Sequence, residues 1–198
     1  MLTFAAAVFF LIATPGPGVL TTAGVGSAYG LRPGLAFVTG LYVGNLLVGV
    51  AVVSGLAAVV LSVPALRMAL TFASAAYLVY LAARIALAGS RIAFLHAARP
   101  PGIVGGIMLQ AVNPKAYVVN TMLFSGFAFL PGRFAAEVAI KFAILGAIWI
   151  PLHLAWLAAG LALHRLGLSS GTQRAINVAM ALAMLAVVAL AALNAPAG

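Results

Sequence analysis

Leu109-Gln110-Ala111-Val112-Asn113-Pro114-Lys115 lies inside an apolar run, Ile103 to Leu130, that is long enough to cross a bilayer. Gln110, Asn113 and Lys115 fall near the middle of that run, and Pro114 breaks its helix. Pro114 has no amide hydrogen, so the carbonyl of Gln110 loses its usual helical partner, and the ring presses on the same turn. Lys115 puts an ammonium near mid-membrane, at a cost of about 2.5–3.5 kcal/mol on the insertion scale. Ionisable groups at that depth face the bundle interior or a water-filled cavity and mark functional sites. The bland alternative is a plain kink.

The surrounding composition sets the class. Hydrophobic residues make up 66% of the 198, and only 6% are charged, where a soluble domain is about a quarter charged. The chain reads as an all-α, polytopic membrane protein. Its +9 net charge is ten basic residues against a single acid, Glu137. The basic residues fall mostly between apolar runs, so they read as topology signals and not as a nucleic-acid surface. The chain has no cysteine, which removes disulfides and thiolate metal sites. No cofactor is expected.

The first span is expected from about Leu2 to Thr22, without the basic start of a cleaved signal peptide. Midway comes Thr14-Pro15-Gly16-Pro17-Gly18, whose prolines and glycines predict an unwound or sharply kinked helix. A connector, Gly24 to Gly34, follows with Arg32. The second span, about Leu35 to Ser62, carries Gly40 and Gly44 at the spacing that lets two helix backbones approach closely. Asn45 beside them is either interhelical glue or a substrate contact. The third span is about Ala65 to Ala88. Its Thr71, Ser74, Tyr77 and Tyr80 drift around one side and suit packing with hydrogen bonds. After the fourth span, Glu137 and Lys141 are spaced for an i,i+4 pair and read as a solvated helix start. The fifth span, about Val138 to Leu163, has Pro151 and His153 near its centre, with Trp149, His153 and Trp156 on one face. The sixth, about Ala175 to Leu193, carries only Asn177 as a polar feature.

Six spans divide into three and three, and only the first span of each half has its proline break in mid-membrane. Three is odd, so a repeated unit lies inverted in the second half. The expected architecture is one transporter domain over 1–198, with repeats at about 1–89 and 101–198. Paired interrupted segments of this kind point to a transporter's binding site. A half-helix starts after each break, and free amides and the positive dipole end gather there. With Lys115 they suit a carboxylate. An ammonium could be met by exposed carbonyls, by the amide oxygen of Asn45 or Asn113, or by an aromatic face. The candidate substrate-binding residues are Pro15, Gly16, Pro17, Gly18, Asn45, Gln110, Asn113, Pro114, Lys115 and His153; no catalytic or metal-binding set is expected.

Thr14-Pro15-Gly16-Pro17, Tyr29-Gly30 through Pro33-Gly34, Gly40 and Gly44, Ala75-Ala76-Tyr77-Leu78 and Asn113-Pro114-Lys115-Ala116 together resemble the lysine exporter (LysE/RhtB) family. The resemblance covers the whole chain. It implies gradient-driven export of amino acids or their derivatives from the bacterial cytoplasm, through a compact bundle of two three-helix repeats. Members often have an aspartate after the second glycine of the second span, where this chain has Asn45, so any mechanism or cation specificity that relies on that acid is in question here.

Expected partners are a small amino-acid substrate and the lipid bilayer, with no nucleic acid; a homo-oligomer stays open. A metal-cation exporter is the runner-up, but it wants carboxylate or thiolate ligands. An intramembrane enzyme would need a paired acid, a metal cluster or a nucleophile with its base. Arg32, Arg84, Arg91, Arg99, Arg165 and Arg174 flank one side against Arg67, Arg133 and Lys141 on the other, which predicts both termini outside the inner membrane. If transport is proton-coupled, His153 and Lys115 are the titratable candidates. With Lys115 fixed in place and no buried acid, lysine and arginine are expected to be poor substrates.

Overall fold

The computed structural model describes residues 1–14, 16–86 and 100–166, and, further on, residues 169, 171, 172, 174–176, 178, 179, 182, 185 and 186. Pro15, Arg91, His96, Arg99, Asn177, the end of the expected sixth span and the side chains of Arg67, Thr71, Ser74 and Arg84 lie outside that description. The described elements are helices α1 (Leu2–Ala13), α2 (Pro17–Tyr29), α3 (Leu31–Val53), α4 (Leu56–Ser62), α5 (Pro64–Ala86), α6 (Ile103–Val112), α7 (Pro114–Ser125) and α8 (Phe134–Arg165). Among the described residues there is no strand. Helix α3 and the Phe134–Leu163 part of α8 are long and apolar enough to cross a membrane, and the bent pair α1/α2 makes a third candidate.

The two proline motifs break their helices as expected. Pro17 and Pro114 each stand at the first position of a new helix, where the missing amide removes nothing and the fixed φ suits the turn. The α1/α2 pair bends by 54°. Pro151, by contrast, sits inside α8 without ending it.

Four boundaries differ from expectation. The expected connector from Gly24 to Gly34 is helix instead: α2 runs to Tyr29 and α3 begins at Leu31, turning on Gly30 alone at φ 82°. Thr21 through Ser27 are buried, because their small side chains let α2 and α8 touch. A Cβ on Gly26 would meet Leu157, and one on Gly160 would meet the Ala23 carbonyl. The expected second span is cut at Ser54-Gly55, where Gly55 takes φ 77° and α4 starts afresh. The fourth stops at Ser125, short of Leu130, and the fifth starts at Phe134 instead of Val138.

The Glu137–Lys141 pair is also corrected. It is not a solvated helix start, since Lys141 is only 2% exposed. Lys141 Nζ lies 2.8 Å from Glu137 Oε1 and donates to the Phe124 carbonyl at 3.0 Å. Glu137 Oε2 accepts from the amides of Phe129 and Leu130, and the ammonium sits over the rings of Phe4 and Phe129. The segment between α7 and α8 folds back over the pair, so both charges find partners where the i,i+4 spacing alone suggested water.

The molecule is apolar outside and polar at selected points inside. Phe10, Leu47, Phe72, Val104 and Phe134 are exposed, whereas Asn45, Gln110, Asn113, Asn120 and His153 are buried. One core cluster joins Phe37, Leu41, Leu109, Trp149 and Leu157; a second joins Phe4, Val8, Val119, Leu123 and Leu145.

Candidate functional site

Three close approaches build the site. The first is the crossing of α3 on α6. A Cβ on Gly40 would strike the Ile103 carbonyl, one on Gly44 would come 2.7 Å from Gln110 Cβ, and one on Gly106 would strike Phe37 and Leu41 backbone. Small residues at these points let the two backbones touch, which sets Asn45 against Gln110: Gln110 Nε2 donates to Asn45 Oδ1 at 3.2 Å. The Tyr77 hydroxyl donates to the Gly105 carbonyl and ties α5 to the same crossing, as packing with hydrogen bonds predicts. The second approach, α2 on α8, brings His153 Nε2 to within 3.6 Å of a Cβ placed on Gly18. The third joins the two broken helices. Lys115, at the start of α7, donates from Nζ to the Thr14 carbonyl at the end of α1, at 2.7 Å.

The second break closes on its own residues. Asn113 caps α7: its Oδ1 accepts from the Lys115 amide at 3.1 Å, and its own carbonyl accepts from the Ala116 amide at 3.0 Å. Two of the carbonyls that α6 would leave open are taken as well. Gln110 accepts from the Asn113 amide, and Ala111 accepts from the Tyr117 hydroxyl. The expectation of a free amide end at this break is therefore corrected, because the residue before the proline is an asparagine that caps.

The first break has no such side-chain cap and is open in that sense. Its N-cap is Gly16, in extended backbone and without a side chain to cap α2, and Pro17 contributes no amide. The amides from Gly18 onward begin a helix with its positive dipole end facing the break. The negative end of α1 is met by the Lys115 ammonium, a cation at a helix C-terminus.

Opposite lies His153, 4% exposed and stacked on Trp149 with ring centroids 3.4 Å apart. Its Nδ1 is 2.9 Å from the Trp149 carbonyl. A carbonyl only accepts, so Nδ1 carries the proton and Nε2 keeps a lone pair. Of the oxygens expected as acceptors for an ammonium, that of Asn45 is fully used and that of Asn113 keeps one lone pair. Asn45 Oδ1 accepts from Gln110 and from Asn120 Nδ2, and Asn113 Oδ1 accepts from Lys115. The lining is thus rich in donors, with His153 Nε2 as an open acceptor.

Gly16, Gly18, Asn45, Gln110, Asn113, Lys115 and His153 line one cavity, together with Thr14, Trp149 and apolar side chains of α1, α2 and α7. Pro17 and Pro114 do not line it; they set the helix starts that do. The cavity holds about 40 Å³, room for about three waters at roughly 10–15 Å³ each and far below the roughly 300 Å³ of a formed ligand pocket. Two participants escape sequence reasoning. Thr14 enters through its carbonyl, which no side-chain pattern announces. Asn120 had a signal: it lies seven residues, two helical turns, after Asn113 on the same face of an apolar run.

Comparison with known proteins bears on what such a cavity is for. A family model described as LysE type translocator matches residues 9–195. The chain is similar to a leucine efflux protein of Enterobacter sp. (strain 638), 25% identical over 130 residues, which is 63% of this chain and 62% of that protein. The match thus spans less than two thirds of that relative's length. No solved structure matches.

Proposed function

The chain belongs to the LysE type translocator family, and from that premise we propose that it exports neutral, zwitterionic amino acids, or small derivatives with a free carboxylate. The proposed route is across the bacterial inner membrane, driven by an ion gradient. The proposed frame is a single domain over 1–198, with six spans in two inverted three-helix repeats and both termini outside. The family supports amino-acid efflux in general, and a relative named for leucine supports a neutral side chain.

One observation carries the substrate class: the Lys115 ammonium stands where the two broken helices meet, at the rim of a cavity lined by donors. An ammonium has three hydrogens, and the Thr14 carbonyl takes one. The others, with the amides opening α2, suit a carboxylate. His153 Nε2 on the opposite wall suits the substrate ammonium. A second positive charge, on a lysine side chain or a metal ion, would meet Lys115 in a low-dielectric site with no carboxylate to offset it. The cavity of about 40 Å³ is smaller than an amino acid, so loading requires its walls to widen.

The test is competition in inside-out vesicles with labelled leucine as tracer. Unlabelled neutral amino acids should displace it, and lysine and arginine should not. Stronger displacement by lysine or arginine would overturn the assignment.

A further inference from the structure

Four carboxamides, Asn113, Gln110, Asn45 and Asn120, form one hydrogen-bonded relay, and both of its ends are held by backbone groups of α7. At one end the Lys115 amide can only donate, so the Asn113 atom 3.1 Å from it is Oδ1. Asn113 Nδ2 then donates to Gln110 Oε1 at 3.2 Å, which leaves Gln110 Nε2 to donate to Asn45 at 3.2 Å. At the other end the Ala116 carbonyl can only accept, so the Asn120 atom 2.8 Å from it is Nδ2. That nitrogen also donates to Asn45, at 3.1 Å. Both routes bring donors to the same Asn45 atom, which must be Oδ1. The orientation of Asn45 is decided twice over.

The consequence falls on Nδ2. Asn45 is 3% exposed and lines the cavity, yet its Nδ2 has no hydrogen-bond partner; the other buried atom without one, Asn120 Oδ1, belongs to a residue that does not line the cavity. An unsatisfied buried donor is costly unless something else uses it. We propose that the relay locks Asn45 as a hydrogen-bond donor to the substrate carboxylate, with Asn120 as the positioning residue that acts through it. The relay makes the site select against cations by geometry, in addition to the charge of Lys115. An asparagine free to turn could offer its oxygen to an ammonium; this one cannot.

The proposal rests on the neutral-substrate reading, so the experiment separates the two. Wild-type vesicles are first tested with a neutral tracer against neutral and lysine competitors. A wild type that prefers lysine defeats that reading itself, and the relay's role in selectivity with it. If wild type prefers neutral substrates, the same ratio is measured for Asn120→Asp, which keeps the shape but offers acceptors where Asn45 Oδ1 needs a donor. That draws Nδ2 away from the cavity, and the ratio should move toward lysine by about tenfold, the worth of one hydrogen bond to a charged group. In an Asn45→Ala background the same change should leave the ratio where Asn45→Ala alone puts it. Asn120→Leu, which adds no charge, should move the ratio in the same direction by a smaller factor, and it decides the matter if the aspartate variant does not fold. An unchanged ratio in both variants overturns the relay. So does an equal shift in the Asn45→Ala background, which marks a direct charge effect.

Discussion

At the second break the Asn113 side chain caps its own helix, whereas at the first break Gly16 has no side chain to do so. Both sites put a proline at the first turn of a half-helix, and both look alike in a sequence. Their chemistry is opposite. Around Asn113, its side chain and backbone and the Tyr117 hydroxyl satisfy the amides of Lys115 and Ala116 and the carbonyls of Gln110 and Ala111. Around Gly16, the start of α2 has no side-chain cap, and the end of α1 is served by a lysine from the other break. In that sense the second break is closed and fixes where Lys115 starts, and the first is open and borrows that lysine for the end of α1.

The largest effect should come from cutting the link between the two breaks. Lys115→Met keeps the stem and removes the charge. It should insert and fold, yet lower vesicle transport by about a hundredfold, the upper scale for losing a hydrogen bond to a charged group. Transport at the wild-type rate would reduce Lys115 to a neutraliser of the α1 end.

Making the open break resemble the closed one should act next. Gly16 has φ −160°, extended backbone that any residue adopts, so Gly16→Asn introduces no backbone strain. Asparagine there would cap α2 and gain a few tenths of a kcal/mol of stability over glycine. Its Cβ would also stand 3.0 Å from Lys115 Cδ and 3.1 Å from Nζ, pushing the ammonium aside. Thermal unfolding in detergent should rise while flux falls about tenfold. A variant that is more stable and fully active would show that the open amides of α2 do not serve the substrate.

The smallest effect on flux should follow from opening the closed break. Asn113→Ala removes the cap on Lys115 and leaves Gln110 Oε1 without its donor. Stability should drop by about 1–3 kcal/mol, read as a lower unfolding temperature, with transport reduced less than by Gly16→Asn. A transport loss as deep as that of Lys115→Met would mean that Asn113 contacts the ligand itself.

Much of this was legible in the chain and some was not. The break positions followed from Pro17 and Pro114 with the glycine and the asparagine before them, residues suited to a helix start; Pro151, preceded by an apolar run, ends nothing. A close backbone approach at Gly40 and Gly44 followed from their missing Cβ atoms, but the partner, α6, did not. The buried state of Lys141 did not follow, since the i,i+4 spacing with Glu137 is the same in water and under a covering loop. The stretch Gly24 to Gly34 was misread because small residues serve tight helix contacts as readily as turns.

By itself the sequence determined an all-helical, membrane-type chain with two broken helices and a lone central lysine, since hydropathy and proline act locally and need no partner. Only the tertiary structure decided which break is closed, where the Lys115 ammonium goes and which way Asn45 faces. Each of those depends on a hydrogen-bond partner from another helix, and the direction of such a bond is set by whether that partner gives or takes a proton.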